Sequence, residues 1–148
     1  MAVAERRANA VWEGNLNEGK GRVQVGSGAL DEFPVTWASR TERSDGKTSP
    51  EELIAAAEAA CFSMALSNDL AKQGNTAERI SVAATCTLDR IEGKLTVTTM
   101  DLEVTGRVPG IDQEAFQAAA ENTSRNCPVS RALVGNVDIR VQATLETS

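Results

Sequence analysis

From Thr48 to Asn68 the chain reads T-S-P-E-E-L-I-A-A-A-E-A-A-C-F-S-M-A-L-S-N, and no other stretch constrains the fold as much. Ser49 has the side chain of an N-cap, Pro50 suits the first helical position, and Glu52 stands three residues after Ser49 as in a capping box. From Leu53 to Leu66 the residues are nearly all apolar or small, with Glu58 the one charge. A helix that is apolar on every side is buried. The sequence therefore predicts a long buried central helix with the rest of the chain packed around it. The run of about 14 residues is short of the roughly 20 needed to span a bilayer. Cys61 sits in its middle, where a thiol either packs as a small apolar side chain or reacts from a sheltered pocket.

The flanking segments read mostly as strands. Ala8 to Glu13 is a short one ending at Gly14. Lys20 to Gly26 alternates, with Val23 and Val25 on one face and Gly28 in the following turn. Phe33 to Ser39 alternates again through Phe33, Val35 and Trp37, and Arg40 stands where that strand stops. The short links between the three predict an antiparallel meander. Thr41 to Ser49 is polar and aperiodic, which predicts an exposed loop leading into the long helix, and Gly74 is placed to end that helix.

In the second half, Arg79 to Arg90 puts Val82, Ala84, Cys86 and Leu88 on one face, so Cys86 reads as a core residue. Ile91-Glu92-Gly93 turns the chain into a long strand from Lys94 to Val108. Asp112 caps a helix from Gln113 to Ser124, with Ala115, Phe116, Ala119 and Ala120 on its inner side. Pro128 opens a short helix that ends at Gly135 and has Cys127 at its N-cap. Asn136 to Glu146 alternates and closes the sheet. Strands in runs separated by helices predict one α+β domain over residues 1–148, with mostly antiparallel sheet.

Composition narrows the chemistry. The 148 residues carry a net charge of −6 and no block of Lys or Arg, which argues against nucleic acid and anionic membrane as partners. The start, M-A-V-A-E-R-R, shows no signal peptide, in keeping with a cytoplasmic protein. The chain has no histidine, so Ser-His-Asp and Cys-His catalysis and His-ligated metals are excluded; without tyrosine, Tyr acid–base chemistry is too. The cysteines at 61, 86 and 127 lack C-x-x-C spacing, which disfavours a zinc site or a thioredoxin-type motif.

Two cysteines stand out. Cys127 at a helix N-terminus feels the dipole and free N–H groups that favour a thiolate, with Arg125 and Arg131 nearby in sequence. Cys61 lies mid-helix, where burial raises its pKa and no backbone donor is free, so it needs a cation from elsewhere. Arg40 or Arg43 can supply it, and a carboxylate orients such an arginine. Glu52 is engaged in the capping box, which leaves Glu51. Ten residues of continuous helix separate Glu51 from Cys61, a rise of about 15 Å. One site using both needs a broken helix or a second subunit. With no Pro or Gly between them, the expectation is a two-fold dimer with composite sites.

P-E-E-L-I-A-A-A-E-A-A-C-F-S-M-A-L and N-C-P-V-S-R-A-L, together with W-E-G near the start and V-P-G-I-D late in the chain, resemble the osmotically inducible protein C (OsmC) and organic hydroperoxide resistance (Ohr) family. The G-K-G and E-E-L-I segments are more similar to the OsmC branch. The resemblance implies an intertwined α+β homodimer that acts as a two-cysteine thiol peroxidase on organic hydroperoxides. It makes Cys61 the peroxidatic and Cys127 the resolving cysteine, Arg40 the activating arginine and Glu51 its partner. It also implies no metal or prosthetic group, and re-reduction of the disulfide by dihydrolipoyl groups of lipoylated proteins. Phe62, Met64 and Trp37 are the apolar residues expected to favour an alkyl hydroperoxide. A redox sensor without turnover and an inert binding or structural dimer are the rival readings.

Overall fold

The structure, a computed structural model, describes residues 1–146. The chain divides into two compact units, Met1–Leu53 and the remainder from Ile54 onward.

The first unit holds strands β1 (Ala8–Glu13), β2 (Lys20–Val25) and β3 (Phe33–Val35), in that order and antiparallel throughout. This is the expected meander. Gly21 pairs with Trp12, and a Cβ there would come within 2.8 Å of the indole ring and of Val35, so only glycine lets the ring lie across the strand.

The third strand is shorter than its alternation predicts. After Val35 the chain turns into helix α1 (Trp37–Thr41). The Ser39 N–H donates to Thr36 Oγ1 at 3.0 Å, and the Thr36 N–H donates to Ser39 Oγ at 2.9 Å, a reciprocal cap. That T-x-x-S signature overrides the period-two pattern of F-P-V-T-W-A-S. Arg40 therefore lies on a helix, not at a strand end. The loop after it is anchored at its far end, where the Thr48 N–H donates to Pro34 O at 3.0 Å.

Helix α2 (Pro50–Lys72) begins as expected, with Ser49 Oγ accepting from the Glu52 N–H at 3.1 Å. The capping box is only half made, because Glu52 Oε1 accepts from Thr48 Oγ1 at 2.7 Å instead of turning back to the Ser49 N–H. The helix ends in a Schellman motif: Asn75 N–H to Leu70 O, Gly74 N–H to Ala71 O, and Gly74 at φ +87°.

Within the single chain, α2 is buried along one face. Glu58, Phe62, Leu66 and Leu70, spaced four apart, are buried, whereas Ala56, Ala57, Ala60 and Met64 are exposed, Met64 to 68%. One face packs into a core, and the other bears small residues with no layer over them. The helix is also longer than its apolar run, at 23 residues, and by length and composition alone it is apolar enough to cross a membrane.

The second unit is built on strands β4 (Arg79–Ile91), β5 (Lys94–Arg107) and β6 (Asp138–Leu145) in that order. Glu92 at φ +50° and Gly93 at φ +78° form the two-residue turn of the β4–β5 hairpin. β6 is parallel to β5, since helices α3 (Gln113–Asn126) and α4 (Pro128–Leu133) carry the chain back before it enters the sheet. Among the described residues the sheets are thus two, and their strand pairs mostly antiparallel, with β5 and β6 parallel. The core joins Phe62, Leu66 and Leu70 to Met100, Leu102 and Phe116. Asp112 caps α3 through the Ala115 N–H at 2.8 Å, while Ala115 itself faces solvent. Cys86 is half-buried against this core.

Candidate functional site

Two segments of the second unit meet at a pair of thiols. Pro128 starts α4 and leaves Cys127 extended before it, at φ −56° and ψ 127°. Cys127 is fully buried, and its Sγ stands 3.0 Å from Cys61 Sγ, with no disulfide formed. The sulfurs are close enough for a bond to form with a small movement.

Burial pushes the Cys61 thiol above its ordinary value, and the hydrogen bond with Cys127 pushes it further. The Val129 backbone, in the first turn of α4, acts the other way. Cys127 caps that helix with no side-chain hydrogen bond to it. Arg125 and Arg131 are exposed and line a recess with Val134 and Asp138 to which Cys127 does not belong.

Sequence reasoning did not single out Glu58. Its side chain is fully buried, Oε1 accepts from Ser130 Oγ, and among the described residues Oε2 has no partner. Burial raises the pKa of its carboxyl and so favours the neutral form, against a smaller opposing effect of the Ser130 hydroxyl. The signal available in the sequence was its being the sole charge in an apolar run.

Cys61 opens on a recess of about 430 Å³ lined also by Met64, Ala65, Asn68, Asp69 and Asn126. Asp69 is held there by the Thr123 hydroxyl, which donates to Oδ2 at 2.8 Å. Phe62, expected in an apolar pocket, is instead wholly within the core.

In the first unit, α1 presents Arg40 to Glu51 in the first turn of α2. Arg40 Nε donates to Oε1 and Nη2 to Oε2, each at 2.9 Å, and Glu51 is nearly buried. Among the described residues Arg43 is exposed and forms no ion pair. Arg40 also walls a recess of about 290 Å³ with Trp12, Leu16, Val35, Trp37 and Pro50. An apolar hollow with one guanidinium on its wall can accept a ligand with an apolar body and a polar end.

A family described as OsmC-like protein matches residues 43–142. The chain is 39% identical over 137 residues to peroxiredoxin OsmC of Escherichia coli (strain K12), covering 93% of this chain and 95% of that one. Among solved structures it is similar to an organic hydroperoxide resistance protein OsmC from Legionella pneumophila, at TM-score 0.77 and 26% identity over 97% of this chain and 99% of that one. It is also similar to the organic hydroperoxide resistance protein OhrB of Bacillus subtilis, at TM-score 0.75 and 25% identity over 93% of this chain and 98% of that one. Matched in sequence along most of its length and in fold along nearly all of it, the chain belongs to the OsmC-like family.

Proposed function

We propose that the protein is a cytoplasmic two-cysteine peroxidase, with residues 1–148 acting as one OsmC-like domain, which reduces organic hydroperoxides to alcohols. The observation that carries the reading is the 3.0 Å approach of Cys61 and Cys127 across two segments far apart in sequence. It is supported by relatives named peroxiredoxin and organic hydroperoxide resistance protein.

Burial disfavours the Cys61 thiolate, so the reaction needs a cation beside it. Arg40, fixed by Glu51, supplies it. Cys61 attacks the terminal peroxide oxygen; the O–O bond breaks, Cys61 becomes a sulfenic acid, and the alcohol leaves. Cys127 condenses with the sulfenic acid to give the Cys61–Cys127 disulfide and water. A dithiol, of the dihydrolipoyl kind, restores both thiols by exchange. The recesses beside Cys61 and Arg40, with Met64 and Trp37 in their walls, favour an organic substituent on the peroxide. Since α2 runs unbroken between Glu51 and Cys61, a site using both draws them from two chains, and the working form is a homodimer.

Peroxide consumption with cumene hydroperoxide and dihydrolipoamide tests this, with intact mass recorded for wild type, Cys61→Ser and Cys127→Ser. The reading expects turnover in wild type only, with a disulfide there and none in either variant. A wild type that forms the disulfide without turnover would make the protein a redox sensor; one that forms neither would leave an inert dimer of the same fold.

A further inference from the structure

Glu58 has no part in the chemistry above, yet a buried carboxyl is costly to keep where it is. It is fully buried, with one oxygen on Ser130 and the other on nothing. Unpartnered buried polar atoms are rare and call for an explanation.

Its placement supplies one. On α2, Glu58 precedes Cys61 by three residues; at the start of α4, Cys127 precedes Ser130 by three. Glu58 meets Ser130 and Cys61 meets Cys127, so the two segments pass in opposite senses, joined by one carboxyl–hydroxyl rung and one thiol–thiol rung. Side chains three apart on a helix are neighbours, with Cβ atoms about 5–6 Å apart. The titratable group beside Glu58 is thus Cys61, and through it Cys127; the charge of an ionised Glu58 works against a Cys61 thiolate. A neutral carboxyl does not, and it carries a proton.

We propose that Glu58 is the acid–base group of disulfide closure, giving its proton to the departing sulfenic hydroxyl and taking the proton shed by Cys127. The step balances. The Cys127 sulfur supplies the electron pair of the new S–S bond and is oxidised. The S–O bond of the Cys61 sulfenic acid breaks with its pair on oxygen, and the Cys61 sulfur is reduced. The leaving hydroxyl departs as water with the Glu58 proton, and the Cys127 proton restores the carboxyl. Ser130 holds the carboxyl in place and is a positioning residue. The inference rests on the two-cysteine reading above and assigns the proton transfer that the reading leaves open.

The test is single-turnover oxidation of reduced protein by one equivalent of cumene hydroperoxide. The sulfenic acid is trapped with dimedone and the disulfide is followed by mass, across pH 5 to 9. Glu58→Gln keeps an acceptor for Ser130 but carries no transferable proton. It is expected to form the sulfenic acid at the wild-type rate or faster and to close the disulfide about 10²-fold more slowly, in the usual range for general acid–base catalysis. Wild-type closure falls as pH rises through the Glu58 titration, and the variant lacks that limb. Ser130→Ala retains the carboxyl, so it keeps the limb while losing rate. Circular dichroism establishes that each variant is folded. Disulfide closure in folded Glu58→Gln at the wild-type rate with the wild-type profile overturns this inference alone; a wild type that forms neither sulfenic acid nor disulfide overturns it together with the peroxidase.

Discussion

Arg40 and Glu51 join through two parallel hydrogen bonds of 2.9 Å, which fix the plane of the guanidinium as well as its position. Lysine keeps the charge but not the fork. Arg40→Lys and Glu51→Gln are each expected to lower kcat/KM for cumene hydroperoxide on the order of 10²-fold, the scale of losing one oriented electrostatic group. Arg43→Lys, on an exposed side chain, leaves it unchanged. The reverse pattern in steady-state assays would transfer the role to Arg43. Glu58 gives a second expectation, on stability. Burial raises its folded-state pKa above the ordinary 4.5, so between 4.5 and that raised value the unfolded chain has lost a proton that the folded chain retains. The unfolded state then binds fewer protons, and stability falls as pH rises through this window. Glu58→Gln removes the effect: its urea midpoint is expected to match wild type near pH 4 and to exceed it once the pH has risen through this window. A constant difference at all pH values would mean that Glu58 titrates normally.

At the scale of elements, Phe116 of α3 lies directly against the backbone of β5 at Gly106. A Cβ on Gly106 would lie 2.3 Å from the Phe116 ring, and Phe116 is itself fully buried. Gly106→Ala is therefore expected to cost about 1–3 kcal/mol by overpacking, read as a lower urea midpoint with the m-value unchanged. α3 does a second task along the edge of the sheet. The amides of Gln113 and Gln117, one turn apart, pair with the backbone of β6 at Val141, Ala143 and Leu145, as a neighbouring strand would. Neither contact was legible in the sequence, because each joins residues that only the completed fold brings together. What was legible was local. Ser49, Pro50 and Gly74 bound α2, Glu92-Gly93 turn the hairpin, and Asp112 caps α3, each through chemistry within a few residues. The misreading of Phe33–Ser39 was also local: Thr36 and Ser39 form a cap whose hydrogen bonds outweigh an alternation that seven residues can show by chance. The parallel placement of β6 depends on the length of two intervening helices. The Glu58–Ser130 contact spans 72 residues, so only the oddity of a lone charge hinted at it.

The whole molecule poses the question of the second subunit. All six residues of β1 are exposed, Val11 and Trp12 among them, and so is the alanine face of α2 with Met64. Exposed apolar side chains such as these are what a self-complementary two-fold contact covers. Light scattering is expected to give twice the 15.7 kDa of one chain. Mass alone does not locate the site, but complementation does. If Arg40 and Glu51 of one chain serve Cys61 of the other, an Arg40→Ala chain paired with a Cys61→Ser chain has one dead site with both lesions and one intact site with neither. The two variants, inactive apart, are then expected to recover about a quarter of wild-type activity after unfolding and refolding as an equal mixture, since half the dimers are mixed and each has one working site. If each site is built within one chain, every site in the mixture carries a lesion and refolding restores nothing. That null result would remove the Arg40 of a second chain as the activating cation, and since the continuous α2 keeps Glu51 about 15 Å along the helix from Cys61 of its own chain, a different cation would be demanded there.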